Sequence, residues 1–191
     1  MRHPGDFPCL GAPAPRGSTI PMSPIAMNPA LPPLTVALYQ PDIPQNAGTI
    51  LRMCACLGFG AAIIEPAGFP VSDRHFRRAG MDYLDHVAIA RYASFGAFDA
   101  ARRASGARLI LLSTKASLAY TAFRFEPGDI LLLGRESAGA PPEVHSGADA
   151  RLTIPLRAGM RSLNVAVAAA MVAGEAVRQI GLARQRAAGA G

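Results

Sequence analysis

Two short stretches constrain the fold of this chain more than any other feature: the unbroken apolar runs LILL (109–112) and ILLL (130–133). Each is bounded by polar or turn residues and is too short for an ordinary helix. Such runs are the mark of strands covered on both faces, which occur where helices flank a parallel sheet. The full strand candidates are ARLILLS (107–113) and DILLLG (129–134), with LTVALY (34–39), GAAIIE (60–65), HVAIARY (86–92) and ARLTIP (150–155) beside them. Helical patterns lie between them, near 45–57, 72–79, 95–105 and 162–181. This alternation predicts an α/β domain: a mostly parallel sheet flanked by helices.

Length and composition narrow the classes. A chain of 191 residues fits one domain, since domains run to about 100–200 residues. Hydrophobic residues make up 50% and charged residues only 17%, which excludes a largely disordered chain. No apolar run approaches the roughly 20 residues that span a bilayer, so no membrane span is expected. The three cysteines, Cys9, Cys54 and Cys56, form no CxxC pair. They give neither a disulfide framework nor a zinc site, and a reducing, cytoplasmic location is expected. Cys54 and Cys56 fall on opposite sides of the first helix and are expected to pack. The histidines show no metal-ligand spacing, and no metal is expected.

Residues 1–33 differ from the rest, holding nine of the 17 prolines. Proline at that density blocks helix and ladder hydrogen bonds, so a disordered leader is expected. It is either a translated leader or, given Met22 and Met27, a misassigned start; its loss should cost little stability. The folded domain is expected over 34–184, with a flexible tail over 185–191. The formal net charge is +6 and the pI about 9.9. All the basic residues but Lys115 are arginines, a bias that GC-rich coding also produces. A basic domain nonetheless favours a polyanionic partner.

In open α/β sheets ligands bind beyond the carboxyl ends of the strands, so the segments after the strands carry the chemistry. After 34–39 comes QPDIPQNAGTILR, in which Pro44 sets a helix start. Asn46 and Gly48 then lie near its first turn, where free N–H groups attract anions. Arg52 follows, either a phosphate-binding side chain or an exposed arginine on a surface helix. After 129–134 comes GRESAGAPPE, a tight loop bracketed by Gly134 and Gly139 with Glu136 inside it. It matches neither the dinucleotide fingerprint nor the P-loop. After 150–155 comes LRAGMRSLNVAVA, with Gly159, Arg161, Ser162 and Asn164 ahead of the last helix. Ser162 is the expected cap, and Asn164 either caps too or turns inward. The last helix has almost no charge before Glu175 and is expected to be buried, by central packing or by a subunit interface. Asp73, Arg74, Arg77 and Arg78 form a charged face, either solvated or turned to phosphates.

Taken together, ALYQPDIPQNAGTILRMCACLGF (37–59), IIEPAGF (63–69), RRAGMDY (77–83), LLLGRESAGAP (131–141) and IPLRAGMRSLNVAVAAAMVAGEAVRQ (154–179) resemble the SPOUT-class RNA 2′-O-methyltransferases. The likeness is strongest to the small enzymes that act on the ribose of nucleotide 34 in tRNA. It implies an α/β fold with a C-terminal trefoil knot and a homodimer packed around the first and last helices. S-adenosylmethionine is the implied co-substrate, held by Leu112, Gly134, Ile154, Leu156, Ser162 and Leu163. Arg52, Asn46, Glu136 and Asn164 are the implied catalytic positions, and the implied partner is the tRNA anticodon stem-loop. The alternatives are 2′-O-methylation of another tRNA or rRNA site, or a non-catalytic RNA-binding protein of the same fold. Arg135 stands where relatives often carry proline, and RSLNVAVAAA departs from the commoner RSLNLSNA.

Overall fold

The computed structural model describes residues 33–70, 87 and 89–188. The leader, the helix expected over 72–79 with its charged face, and the last residues of the tail lie outside them. In chain order come β1 (Leu34–Tyr39), α1 (Pro44–Leu57), β2 (Gly60–Ile64), β3 (Ile89–Tyr92), α2 (Phe95–Ser105) and β4 (Leu109–Leu112). Then follow β5 (Leu118–Ala119), a single 3₁₀ turn (Tyr120–Ala122), β6 (Asp129–Leu133), α3 (Pro142–Gly147), β7 (Ala150–Thr153) and α4 (Val165–Ala188). The strands form one sheet in the order β3-β2-β1-β6-β4-β7-β5. Every pairing within it is parallel.

Period-two alternation sorts the strand residues between two cores. Leu34, Val36, Leu38, Ile63, Ile110, Leu131, Leu133 and Leu152 face α1 and α4, meeting Ile50, Leu51, Cys54, Ala169, Val172 and Ala176. Ala37, Tyr39, Ile64, Leu109, Leu111, Ile130 and Leu132 face the other way, against Phe98 of α2 and Val144 of α3. The runs at 109–112 and 130–133 are therefore apolar throughout because successive residues feed opposite cores. Each fully buried leucine or isoleucine contributes about 1.5–3 kcal/mol.

The helix boundaries follow local chemistry. Pro44 opens α1, and Gly58 closes it at φ 65°, its N–H donating to carbonyls of the last turn, as a left-handed glycine cap does. Ser94 caps α2 by accepting from the Ala97 N–H at 3.2 Å. α4 starts at Val165, later than the expected 162, and continues to Ala188. It is covered on one face only. Ala169, Val172, Ala173, Ala176 and Ile180 are buried, whereas Val167 is 50% and Met171 38% exposed. Of the two cysteines on α1, Cys54 is buried and packs while Cys56 is exposed. Among the described residues no helix is long and apolar enough to cross a membrane.

Candidate active site

The strand order β1-β6-β4-β7 brings four carboxyl-end loops together, and they enclose one cavity of about 450 Å³. Leu112 enters from the end of β4, Gly134 from the end of β6, Ile154 and Leu156 from beyond β7, and Ser162 and Leu163 from the approach to α4. All six residues expected to hold the co-substrate thus line the same space. A Cβ at Gly134 would lie 2.7 Å from the Ala140 nitrogen and 2.7 Å from the Gly139 carbonyl carbon. Only glycine fits that close approach of backbone to backbone. The turn itself is locked by reciprocal bonds: Arg135 N–H donates to the Gly139 carbonyl at 3.1 Å, and Gly139 N–H to the Arg135 carbonyl at 2.8 Å.

Asn46, Glu136 and Asn164 line the cavity too, and they are bonded in series. Asn164 Nδ2 donates to Asn46 Oδ1 at 3.0 Å, and Asn46 Nδ2 donates to Glu136 Oε1 at 3.2 Å. The second Glu136 oxygen, Oε2, accepts from the Asp42 backbone N–H at 3.1 Å. This series ties the loop after β1 to the loops after β6 and β7. Asn164 also caps α4, its Oδ1 accepting from the Ala166 N–H at 2.9 Å and the Val167 N–H at 3.3 Å. The cap expected at Ser162 is therefore Asn164, which is why α4 begins at 165. Gly48 is buried against the core near the start of α1.

Arg52 is half-buried on α1 and stands outside the cavity lining. It is the one expected site residue that the fold does not bring to the cavity of its own chain. Sequence reasoning passed over Asp42, although it lies inside the first motif. Its Oδ1 accepts from the Glu136 N–H at 3.1 Å and its Oδ2 from the Ser137 N–H at 3.3 Å, with the Ser137 hydroxyl also donating to Oδ2. Arg135 Nε stands 3.6 Å from the same oxygen. No local pattern marks Asp42, because its partners lie more than 90 residues away in sequence. Lys115 and His145 also reach the cavity, as does Arg161.

The two carboxyls titrate apart. Hydrogen bonding with the Glu136 side chain, aided by Ser137 and opposed by burial, brings Asp42 down to about 2. Burial, and then the facing Asp42 side chain, pushes Glu136 above its ordinary value. Two carboxyls this close resist double ionisation, so the second proton is released later than the first. Burial, with Lys115 and Arg151 nearby, lowers His145. Among the described residues no three His, Cys, Asp or Glu side chains gather as metal ligands.

Known proteins resemble this chain in sequence and fold. Residues 33–174 match the SpoU rRNA methylase family. A tRNA (cytidine(34)-2′-O)-methyltransferase of Beijerinckia indica is 73% identical over 146 residues, covering 76% of this chain and 91% of that protein. A solved structure concerned with the 2-OH methylation of C/U34 on tRNA is 44% identical with a TM-score of 0.73, covering 76% of this chain and 95% of that one. An AdoMet-bound rRNA methyltransferase from Sinorhizobium meliloti is 28% identical with a TM-score of 0.73, covering 80% of this chain and 58% of that one. With the family match running from the first described residue into the middle of α4, the chain belongs to the SpoU rRNA methylase family.

Proposed function

We propose that this chain is an S-adenosylmethionine-dependent tRNA 2′-O-methyltransferase acting on the ribose of the wobble nucleotide, cytidine or uridine 34. The observation that carries the reading is the coincidence of two features in one cavity: a glycine-walled apolar pocket and the Asn164–Asn46–Glu136 series. The 73% identity to a methyltransferase of that specificity supports the substrate.

The cavity suits the co-substrate. Leu112, Ile154, Leu156 and Leu163 offer apolar surface to an adenine ring, and Ser162 adds a hydroxyl beside them. At Gly134 the backbone comes close, with no Cβ in the way. When bound, S-adenosylmethionine supplies an electrophilic sulfonium methyl group. The residues of the chain must then aim a ribose 2′-hydroxyl in line with it, and such positioning supplies much of the rate. The hydroxyl must also lose its proton. Arg52 is a poor base, since an arginine pKa exceeds about 12. Its role in this reading is to grip the adjoining phosphate and steady the developing alkoxide. Asn46, Glu136 and Asn164 orient the ribose between the loops.

The working unit is a homodimer formed through α1 and α4, whose outer surfaces expose Leu57, Val167 and Met171. Arg52, outside the lining of its own cavity, then serves the cavity of the second copy. The trefoil threading belongs to the same reading: β6 lies between β1 and β4, and the segment after β7 crosses to the loop after β4. The basic excess fits an anticodon stem-loop partner in the cytoplasm. The test is methyl transfer from labelled S-adenosylmethionine to total tRNA, followed by nucleoside mapping. A 2′-O-methylated pyrimidine at position 34 is expected. Co-substrate binding without incorporation would move the substrate to another RNA, and no binding would leave a non-catalytic RNA-binding protein.

A further inference from the structure

We infer, on the methyl-transfer reading above, that Asp42 is a positioning residue, fixing the Glu136 carboxyl and, through it, the Asn46–Asn164 pair in the cavity. The Asp42 side chain is only 16% exposed. It is held from both sides. On one side it accepts the backbone N–H groups of Glu136 and Ser137 and the Ser137 hydroxyl, with Arg135 near the same oxygen. On the other side the turn after β2 presses against it: a Cβ at Gly68 would lie 3.0 Å from Asp42 Cα and 3.1 Å from its Cβ. The Gly68 N–H donates to the Pro41 carbonyl at 2.8 Å and keeps that turn in place.

The contacts are reciprocal. Asp42 fixes the Glu136 backbone through Oδ1, while the Asp42 N–H fixes the Glu136 side chain through Oε2. Glu136 is thereby set at backbone and side chain alike. Its other oxygen, Oε1, accepts from Asn46 and so dictates which way that amide points, and Asn46 presents its carbonyl oxygen to Asn164. Gly134 has a separate restraint, because the Arg135–Gly139 pair closes the turn beside it. Asp42 therefore acts on the aim of the polar series, while the Arg135–Gly139 pair holds the turn at Gly134. The charged groups facing the pair are Arg135 from the same turn and, across it, each other. Ser137 and Asn46 complete the polar surroundings.

The test compares wild type, Asp42→Asn and Asp42→Glu as full-length protein. An asparagine amide nitrogen cannot accept, so one backbone N–H of the turn loses its partner and the like charge beside Glu136 disappears. Misplacement near 1 Å costs on the order of a hundredfold in rate. Asp42→Asn is expected to lower kcat on tRNA about that much, with the Kd for S-adenosylmethionine within about threefold of wild type. Asp42→Glu, which keeps two acceptors, is expected to recover part of kcat. Carbon-13 NMR of the Glu136 carboxyl, assigned with Glu136→Gln, is expected to show titration at lower pH in Asp42→Asn. The acid limb of the rate profile should move the same way. An unmoved Glu136 titration, or parallel loss of kcat, co-substrate affinity and melting temperature, would overturn the inference. If wild type itself transfers no methyl to tRNA, the substrate reading falls, while the Glu136 titration still decides the role of Asp42.

Discussion

The backbone leaves no space at position 134, where an added Cβ would sit 2.7 Å from two backbone atoms. Gly134→Ala must push the turn or the cavity wall aside, at a cost of about 1–3 kcal/mol as for other overpacked sites. The expected outcome is a tenfold or greater loss of S-adenosylmethionine affinity by calorimetry, and unchanged affinity would remove Gly134 from the pocket wall. Arg52 makes the complementary case. It lines no part of its own cavity, so Arg52→Ala is expected to abolish methyl transfer while leaving co-substrate binding intact. A fully active variant would end its catalytic assignment. Both residues were singled out in the sequence because they sit in motifs whose order is distinctive; the structure brings Gly134 to the cavity and leaves Arg52 outside its lining. Asp42 was equally inside a motif yet silent, since its meaning lies in contacts to a turn 94 and 95 residues away. Asn164 was half legible: a polar residue ahead of an apolar helix announces a cap, but only the backbone path decides whether 162 or 164 provides it.

Among the elements, α4 is moored at its middle by a polar cluster. Glu175 binds Arg178 through two bonds and Gln179 through one. Gln179 in turn accepts from the Phe125 N–H at 2.9 Å and donates to the Phe123 carbonyl at 3.0 Å. The helix is thus fastened to the segment that leads into β6. The Arg178 bond, and then that of Gln179, hold Glu175 at about 2, below its ordinary 4.5. A carboxyl depressed in the folded state contributes stability that is complete above its unfolded value and lost as pH falls through its folded one. Between about pH 4.5 and 2 the wild type should therefore lose stability that Glu175→Gln has already forgone. Chemical denaturation across that range is expected to give a shallower acid slope for the variant, and identical slopes would refute the mooring. The strands themselves were legible as apolar runs, each found within a few residues of its observed limits. β5, with two residues, and α3, with six, were not, because elements that short carry too few residues to show a period.

For the whole molecule the question is what covers the outer side of α4. Its apolar character all round left central packing and a subunit interface open from sequence alone. In the structure Ala169, Val172, Ala173, Ala176 and Ile180 turn to the sheet, while Val167, Ala170, Met171 and Gly174 form a second row at helical spacing that faces outward. Small residues in that row let another helix approach closely. α1 packs beside α4 on the same face of the sheet and adds Leu57, 43% exposed, to the outer surface. A stable partner of this kind buries about 800 Å² per subunit, and the exposed residues of both helices would contribute to it. Paired Val167→Glu and Met171→Glu place two like charges on each copy at that strip, where burial without a partner is costly. Val167 is 50% and Met171 38% exposed in the single chain, so its own fold should tolerate both substitutions. Sedimentation is expected to show a wild-type dimer and a monomeric double variant with retained helical signal. On the proposed dimer, methyl transfer should then fall with dissociation, because Arg52 of one copy would no longer reach the cavity of the other. A double variant that is monomeric yet fully active would separate dimerisation from catalysis and return Arg52 to its own chain.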